Sequence, residues 1–207
     1  MKGLKIRRSV KRTISAALAS IISVSVISAS FVSASNFETV KLPNYPGVIQ
    51  HGPNCWASTL YSMGLYKGLN LAMTEQVIGY FYAANGYHYT GNGATLYETY
   101  RVADYMFSGY DVQWHASQLH NGEIMDQIDD DLPVCIGGVS SDGGGHMVAL
   151  MGYKKGTFDN NVYRIYYMNP QTGLEYSHSY SISLNVHEFT NASETKTYIW
   201  NASITLE

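Results

Sequence analysis

Two side chains that could support thiol chemistry, a cysteine and a histidine, occur in the chain in the order and settings that such chemistry needs. A thiol attacks only as the thiolate, and its ordinary pKa of about 8.5 leaves little thiolate at neutral pH. Cys55 follows a loop and begins an apolar helical pattern, so we expect it at the N-terminus of a helix. Unpaired backbone N–H groups and the helix dipole lower a thiol pKa there. The pattern therefore predicts a reactive thiol at Cys55.

A histidine partner would take the thiol proton and later protonate the leaving group. His146 is the best candidate, since it follows the Gly-rich turn 142–145 and begins an apolar run at the rim of a predicted sheet. The next apolar run ends at Asn169. If the two runs pair as an antiparallel hairpin, Asn169 lies beside His146, and its side-chain carbonyl can accept the imidazole N–H and orient the ring.

Acyl transfer also requires hydrogen-bond donors for the oxyanion. The backbone N–H of Cys55 can supply one donor, and the side-chain amide of Gln50, five positions upstream, can supply the second. The alternative for Gln50 is an ordinary surface glutamine.

The elements that must position these residues follow from periodicity. Helical patterns begin at Cys55, at Thr74 and at about Thr95, and a short acidic helix is predicted from Asn121 to Asp131. After Leu132 the pattern becomes short apolar runs, which predict strands at 132–138, 146–153, 161–168, 174–184 and 196–205. Residues 36–54 are expected to form an extended arm. The chain is therefore predicted to be α+β, with an N-terminal helical half, a C-terminal antiparallel sheet half and a cleft between them.

Charge and composition exclude several classes of function. The net charge is −3, but six of the 13 basic residues lie within the first 12 positions. From residue 13 onward seven basic and 16 acidic side chains remain, a net charge of −9. A protein with this negative net charge is unsuited to binding nucleic acid or an anionic membrane surface. A hydrophobic content of 45% excludes a disordered chain, and 207 residues suit one domain.

The first 34 residues are predicted to be a secretory signal peptide. Residues 1–12 are basic, residues 13–34 carry no charge, and the segment ends in Val32-Ser33-Ala34, the small residues that a signal peptidase recognises. We expect cleavage after Ala34, with Ala29 as an alternative site and an uncleaved membrane anchor as an alternative role. The mature protein, residues 35–207, is then expected to be soluble and extracellular.

The remaining candidate sites have simpler explanations. Cys135 lies in an apolar run typical of a buried strand, unlike the setting of Cys55, so a disulfide between them is only the alternative. No cofactor is indicated. His115, His120 and Glu123 are too loosely spaced for a metal site, and the consecutive carboxylates of residues 129–131 cannot converge from one helix face. Four closely spaced tyrosines could line a substrate cleft, but packing is the expectation; they are Tyr80, Tyr82, Tyr87 and Tyr89.

The ordered set Gln50, Cys55, His146 and Asn169 resembles the papain-like cysteine peptidases, with a closer likeness to the C39-like, AvrRpt2-type and staphopain groups. The motifs that carry the resemblance are Cys55-Trp56-Ala57, Gly145-His146-Met147-Val148 and Tyr167-Met168-Asn169-Pro170. They span most of residues 45–185. The resemblance implies a papain-like fold that hydrolyses peptide bonds of a peptide or protein substrate. It implies Cys55 as nucleophile, His146 as general base and acid, Asn169 as orienting residue and Gln50 as oxyanion donor.

Two departures from the family pattern affect these expectations. Gln50 precedes the cysteine by five positions, where papain-like enzymes often have six. About 21 residues separate the predicted cleavage site from Cys55, which leaves no room for an inhibitory propeptide. Either a separate protein inhibitor is a partner that controls the activity, or the enzyme is active at once on export. Two other functions stay open: a cell-wall amidase of the CHAP type, and a secreted binding protein without turnover on the same fold.

Overall fold

The computed structural model describes residues 36–180, 188–190 and 196–207, and within them four helices and eight strands are present. The helices are α1 Cys55–Tyr66, α2 Thr74–Asn85, α3 Leu96–Met106 and α4 Asn121–Asp129. The strands are β1 Phe37–Lys41, β2 Val112–His115, β3 Val134–Val139, β4 Gly145–Gly156, β5 Val162–Asn169, β6 Leu174–Ser179, β7 Glu188–Thr190 and β8 Thr197–Leu206. The predicted signal segment and the end of the predicted strand 174–184 lie outside the described residues.

All four predicted helices are present, and their apolar stripes explain their packing. In α1 the side chains of Trp56, Leu60 and Met63 are fully buried, since residues three and four apart share one face of a helix. In α2 the side chain of Phe81 is buried, whereas Tyr82 is 53% exposed. The N-termini of α1 and α2 lack a side-chain cap, whereas α3 begins with a full capping box.

The strands form one antiparallel sheet in the order β2-β8-β3-β4-β5-β6, with β1 paired to β4 and β7 paired to β8. The α+β prediction is confirmed, but the sheet takes two strands from the N-terminal half. The predicted arm 36–54 begins with strand β1, and β2 is a four-residue strand between α3 and α4. Strands this short show too few alternations to be read from periodicity.

The hairpin that was predicted to carry the histidine and the asparagine is formed by β4 and β5. The two strands are antiparallel, and Ala149 lies opposite Met168. Asn169 is the last residue of β5, while His146 is the second residue of β4. The two side chains therefore reach the same end of the hairpin.

Helix α1 packs against the beginning of β4. The hydroxyl of Thr59, fully buried, donates a hydrogen bond to the backbone carbonyl of Met147 at 3.2 Å. Around it the apolar face of the helix meets Val148 and Leu150 of the strand in one hydrophobic core. This packing brings the N-terminus of α1 to the residues that follow the Gly-rich turn.

The segment that leads into α1 is held against the turn after β5. The backbone N–H of Gln50 donates to the carbonyl of Pro170 at 2.6 Å. The two segments approach so closely at Gly47 that a Cβ atom built there would lie 2.1 Å from the carbonyl oxygen of Gly173. Glycine at position 47 is therefore what permits the contact, which fixes Gln50 beside the end of β5.

Candidate active site

Cys55 is the first residue of α1 and lies at the junction of helix and sheet. Hydrogen bonding from the backbone N–H groups of Met147, Trp56 and Cys55 itself acts to lower the pKa of its thiol. Two of these donors belong to the open first turn of the helix, and the third comes from β4. Cys55, His146 and Met147 all line the same cleft. Cys55 and Cys135 are both free thiols, so the disulfide alternative does not hold in this structure.

The expected lowering of the thiol pKa at Cys55 is wrong for this state of the site. Burial is the dominant influence and raises the pKa of the Cys55 thiol above its ordinary value, although the backbone N–H groups of Met147 and Trp56 oppose it. Removing a thiolate from water costs more than the helix terminus returns. The sequence could predict the helix terminus, but the degree of burial depends on how tightly α1 packs against the sheet.

His146 and Asn169 are brought together as predicted from the hairpin. The ring nitrogen Nε2 of His146 lies 3.0 Å from Oδ1 of Asn169. Both residues are buried, and Asn169 is entirely inaccessible to solvent. The same Oδ1 accepts the backbone N–H of Gln171 at 3.0 Å, and Nδ2 donates to the carbonyl of Thr190 at 3.3 Å.

These contacts determine which nitrogen of His146 carries the proton. The Asn169 amide cannot be turned over, because the Gln171 N–H needs an acceptor and the Thr190 carbonyl needs a donor. Oδ1 therefore faces the imidazole, and Nε2 must donate to it. The lone pair of the neutral ring is left on Nδ1, which is the nitrogen available to take a proton in the cleft.

Aromatic side chains cover the imidazole from the sheet side. The ring of Tyr198 lies 5.2 Å from the ring of His146, and Phe189 stacks on Tyr198 at 5.6 Å with an angle of 16° between the rings. Phe189 is fully buried. Burial lowers the pKa of His146 below its ordinary value, and the hydrogen bond to Asn169 partly opposes that shift. The resting pair of thiol and imidazole is therefore favoured in its neutral form.

Strand β7 contributes contacts to the site that the sequence analysis missed. Besides accepting from Asn169, Thr190 donates its backbone N–H to the hydroxyl of Tyr167 at 3.1 Å, and that hydroxyl in turn lies 3.3 Å from the Thr190 carbonyl. The described strand has only three residues, Glu188–Thr190, and three residues carry no usable periodicity. The alternating pattern of β5 could have indicated Tyr167, since it shares a face with Asn169.

Gln50 lies at the cleft, as expected for a donor to an oxyanion. Its Nε2 donates to the carbonyl of Gly52 at 2.9 Å, and a second amide hydrogen remains on the same nitrogen. Its Oε1 is buried without a hydrogen-bond partner among the described residues. Gln50 therefore lines the same cleft as Cys55, and one hydrogen of its side-chain amide is not used within the loop.

A cleft of about 590 Å³ is lined by three of the four predicted residues, Gln50, Cys55 and His146. Its lining consists of residues 92–96, 138–139 and 145–147, together with Gln50, Pro53, Cys55, Gln171 and Tyr198. Apart from the imidazole and the Cys55 thiol, none of these lining side chains is ionisable near neutral pH. Asn169 lies behind His146, out of contact with solvent. The cleft thus presents a thiol, an imidazole and an amide to an uncharged groove.

The turn before His146 is braced by an ion pair. Asp142 accepts from Lys196 at 2.8 Å, from the hydroxyl of Ser140 at 2.5 Å and from the backbone N–H of Gly144 at 3.3 Å. The hydrogen bond from the Lys196 ammonium is the chief reason that the pKa of Asp142 is lowered. These contacts join the two sides of the turn that leads into His146.

Among residues 36–180, 188–190 and 196–207, no three His, Cys, Asp or Glu side chains converge in a way that could hold a metal ion. In the same part of the chain, no helix combines the length and the apolar character needed to cross a bilayer.

A helix that begins with a cysteine, packed on an antiparallel sheet that supplies a histidine and an asparagine, defines the papain-like class of fold and site. The sequence model of the family described as papain-like cysteine protease AvrRpt2 matches residues 36–192. This match covers more than half of the chain, so the protein belongs to that family of papain-like cysteine peptidases.

A solved structure supports the same fold. A candidate C39-like peptidase from Bacillus anthracis superimposes with a TM-score of 0.55 at 13% sequence identity, and the alignment covers 82% of this chain and 98% of that one. At this identity the likeness concerns the fold alone. No curated protein matches the chain by sequence.

Proposed function

We propose that the protein is a secreted cysteine peptidase that cleaves peptide bonds through an acyl-enzyme at Cys55. The observation that carries the proposal is the arrangement of Cys55 at the uncapped N-terminus of α1, with His146 in the same cleft. The family and the fold agree with this reading. Asn169 is assigned to orient His146, and Gln50 to bind the oxyanion.

The reaction begins with transfer of the thiol proton from Cys55 to Nδ1 of His146. The sulfur attacks the carbonyl carbon of the scissile bond, and the carbonyl oxygen becomes an oxyanion. When this intermediate collapses, the C–N bond breaks, and the imidazolium gives its proton to the leaving amine. A thioester remains on Cys55. His146 then removes a proton from water, the hydroxide attacks the thioester, and the thiol leaves with the proton returned by the imidazolium.

Proton transfer separates charge, which the resting site disfavours because burial favours the neutral form of both groups. Burial raises the pKa of Cys55 and lowers the pKa of His146. Charge separation is then stabilised locally by the N–H groups on the sulfur and by Asn169 on the ring. Because Asn169 accepts from Nε2, it stabilises the imidazolium without taking its proton.

The oxyanion is proposed to bind the Cys55 backbone N–H and the second amide hydrogen of Gln50. The contact of Gln50 with Pro170 ties this donor to the same turn that follows Asn169. A donor fixed in place before the reaction begins needs no reorganisation when charge develops on the oxygen. The uncharged lining of the cleft suits a peptide whose side chains next to the scissile bond are uncharged.

The direct test is proteolysis of unfolded casein by the mature chain, with and without iodoacetamide. The Cys55→Ala variant should lose all iodoacetamide-sensitive cleavage. The matched control is Cys135→Ala, which removes the other cysteine of the chain, a buried residue on β3, and should keep its activity. Full activity in Cys55→Ala would end the proposal.

The same variants separate the alternatives. Release of peptidoglycan fragments without cleavage of casein would favour an amidase of the CHAP type. Absence of both activities, with a thiol at Cys55 that reacts like an ordinary one, would favour a binding protein.

Secretion is proposed from the sequence of residues 1–34. A basic segment followed by an uncharged apolar one and by Val32-Ser33-Ala34 has the form that a signal peptidase recognises. In a host that exports it, the protein should be recovered from the medium with Ser35 as its first residue. Recovery of the full-length chain in the membrane fraction would instead favour an anchor.

A further inference from the structure

The hydroxyl of Tyr89 contacts the residues on both sides of Cys55 in the chain, Asn54 and Trp56, and also Gly93 in the lining of the cleft. Its oxygen donates to Oδ1 of Asn54 at 2.6 Å and accepts the backbone N–H of Gly93 at 3.0 Å. The indole N–H of Trp56 points to the same oxygen at 3.4 Å. Asn54 precedes the thiol and Trp56 follows it, so a residue 34 positions downstream of Cys55 holds both.

Asn54 occupies the N-cap position of α1 but does not cap the helix. Asparagine is among the residues most favoured there, because its side-chain oxygen usually accepts an N–H of the first turn. Here no such bond is formed, and the backbone angles of φ −106° and ψ 32° differ from the extended conformation usual for a cap. Nδ2 donates to the carbonyl of His51 at 2.8 Å, and Oδ1 accepts from Tyr89. Both polar atoms of the side chain are therefore engaged away from the helix.

The N–H groups that a capping Asn54 would use include one that the sulfur uses. An N-cap oxygen accepts from the second or the third residue of the helix, and the second residue of α1 is Trp56. The backbone N–H of Trp56 is also one of the three that act to lower the pKa of the Cys55 thiol. A capping side chain would compete with the thiolate for that donor.

We propose that Tyr89 is a positioning residue that keeps Asn54 from capping α1 and so reserves the first-turn N–H groups for the sulfur of Cys55. Through Gly93 the same hydroxyl fixes the wall formed by residues 92–96. This inference rests on the proposed function, since it assigns Tyr89 a role in making the thiol of Cys55 reactive. With tyrosine at position 89, α1 lacks the stabilisation of a side-chain cap, and a first-turn N–H group stays available to the sulfur.

The role of the hydroxyl can be separated from that of the ring. The ring of Tyr89 packs edge-on against Trp56 at 5.4 Å between centroids and lies 5.3 Å from Phe81. Tyr89→Phe preserves these contacts and removes only the hydrogen bonds. Adding Asn54→Ala to Tyr89→Phe then removes the side chain that would take over the Trp56 donor.

The experiment measures the rate of alkylation of Cys55 by iodoacetamide at pH 7 in a Cys135→Ala background, together with kcat and KM on a peptide. Tyr89→Phe should react about three to ten times more slowly, since one hydrogen bond to the thiolate is lost, and kcat should fall with it. The double variant Asn54→Ala/Tyr89→Phe should recover most of the alkylation rate, because no competing acceptor remains.

The matched control is Tyr153→Phe, which removes a buried hydroxyl that donates to Asp129 at 2.7 Å, outside the cleft. It should alkylate at the unmodified rate even where its melting temperature falls. A Tyr89→Phe variant as reactive as the unmodified protein would overturn the proposal, and so would a double variant no faster than Tyr89→Phe. If no variant cleaves peptide, the proposed function fails, whereas the alkylation rates still decide the role of Tyr89.

Discussion

Oδ1 of Asn169 faces Nε2 of His146 at 3.0 Å, and backbone groups on two sides hold the amide in that orientation. The contact with Gln171 requires an acceptor, and the contact with Thr190 requires a donor. The orientation of one amide thereby places the imidazole proton on Nε2 and the lone pair on Nδ1. The geometry of the site is thus set by backbone polar groups that a buried amide satisfies.

The acid limb of the pH–activity profile should depend on residue 169. The hydrogen bond from Asn169 raises the pKa of His146, so losing it in Asn169→Ala should lower that pKa and move the loss of activity to lower pH. In Asn169→Asp a carboxylate stabilises the imidazolium, so the pKa should rise by about one unit or more and the loss should occur at higher pH.

The profile of kcat/KM against pH reports the free enzyme and is therefore the measurement to use. Asn169→Ala should also be slower at every pH, because the ring is no longer oriented. Identical acid limbs in the three proteins would show that the residue at position 169 does not control the titration of His146.

Replacing His146 should separate thiol reactivity from thiol burial. The thiolate fraction rises with pH, and burial raises the pKa of Cys55. In His146→Ala the imidazole that takes the proton within the cleft is absent, so alkylation should become half-maximal at a higher pH than in the unmodified protein. Peptidase activity should fall by about a hundredfold or more.

The measurement is the alkylation rate between pH 5 and pH 10 in a Cys135→Ala background, where Cys55 is the only thiol. Superimposable curves for the two proteins would mean that His146 and Cys55 do not share a proton. In that event the histidine would be only a buried polar residue.

Removing the hydroxyl of Tyr167 should loosen Asn169 without opening the core. This hydroxyl accepts the N–H of Thr190, whose carbonyl receives Nδ2 of Asn169. Tyr167→Phe should therefore lower kcat by about three- to tenfold with little change in KM, and should reduce the free energy of unfolding by about 1 kcal/mol. Steady-state kinetics and urea unfolding give the two values. A loss of stability with unchanged kcat would mean that the hydroxyl supports only β7.

The parts of the site that follow from local pattern could be predicted, and those that depend on packing could not. Cys55 begins a run of apolar residues at helical spacing, and His146 follows a glycine-rich turn, so both settings can be read from neighbouring residues. Pairing of the two apolar runs placed Asn169 beside His146. The direction of the pKa shift at Cys55 was wrong, because it is set by burial against β4.

Contacts from distant short segments were also beyond the sequence. Phe189 and Thr190 belong to a strand of three residues whose alternation cannot be recognised. Tyr89 was expected only to pack or to line the cleft, since nothing in its neighbourhood indicates a hydrogen bond to Asn54. Such contacts arise between residues far apart in the chain, and only the assembled sheet and helices bring them together.

Gln50→Ala should lower kcat with little effect on KM. An oxyanion donor acts on charge that develops only in the transition state, and the loss of one such donor costs about a hundred- to a thousandfold in kcat. Gln50→Glu, which keeps the size of the side chain but replaces the amide by a carboxylate, should be at least as slow at neutral pH. If kcat stays within twofold in Gln50→Ala, Gln50 is a surface residue of the loop and the second donor lies elsewhere.

Gly47→Ala should weaken both the fold and the oxyanion site, because a Cβ at this position would lie 2.1 Å from the carbonyl oxygen of Gly173. The arm must then move away from the turn, which strains the hydrogen bond from Gln50 to Pro170. We expect a loss of about 1–3 kcal/mol in the free energy of unfolding and a fall in kcat, as in Gln50→Ala.

The matched control is Gly79→Ala in α2, where an added methyl group meets no atom within 4 Å and should stabilise the helix by up to about 1 kcal/mol. Urea unfolding of the two variants should therefore shift in opposite directions. A Gly47→Ala protein as stable and as active as the unmodified one would show that the arm does not set the position of Gln50.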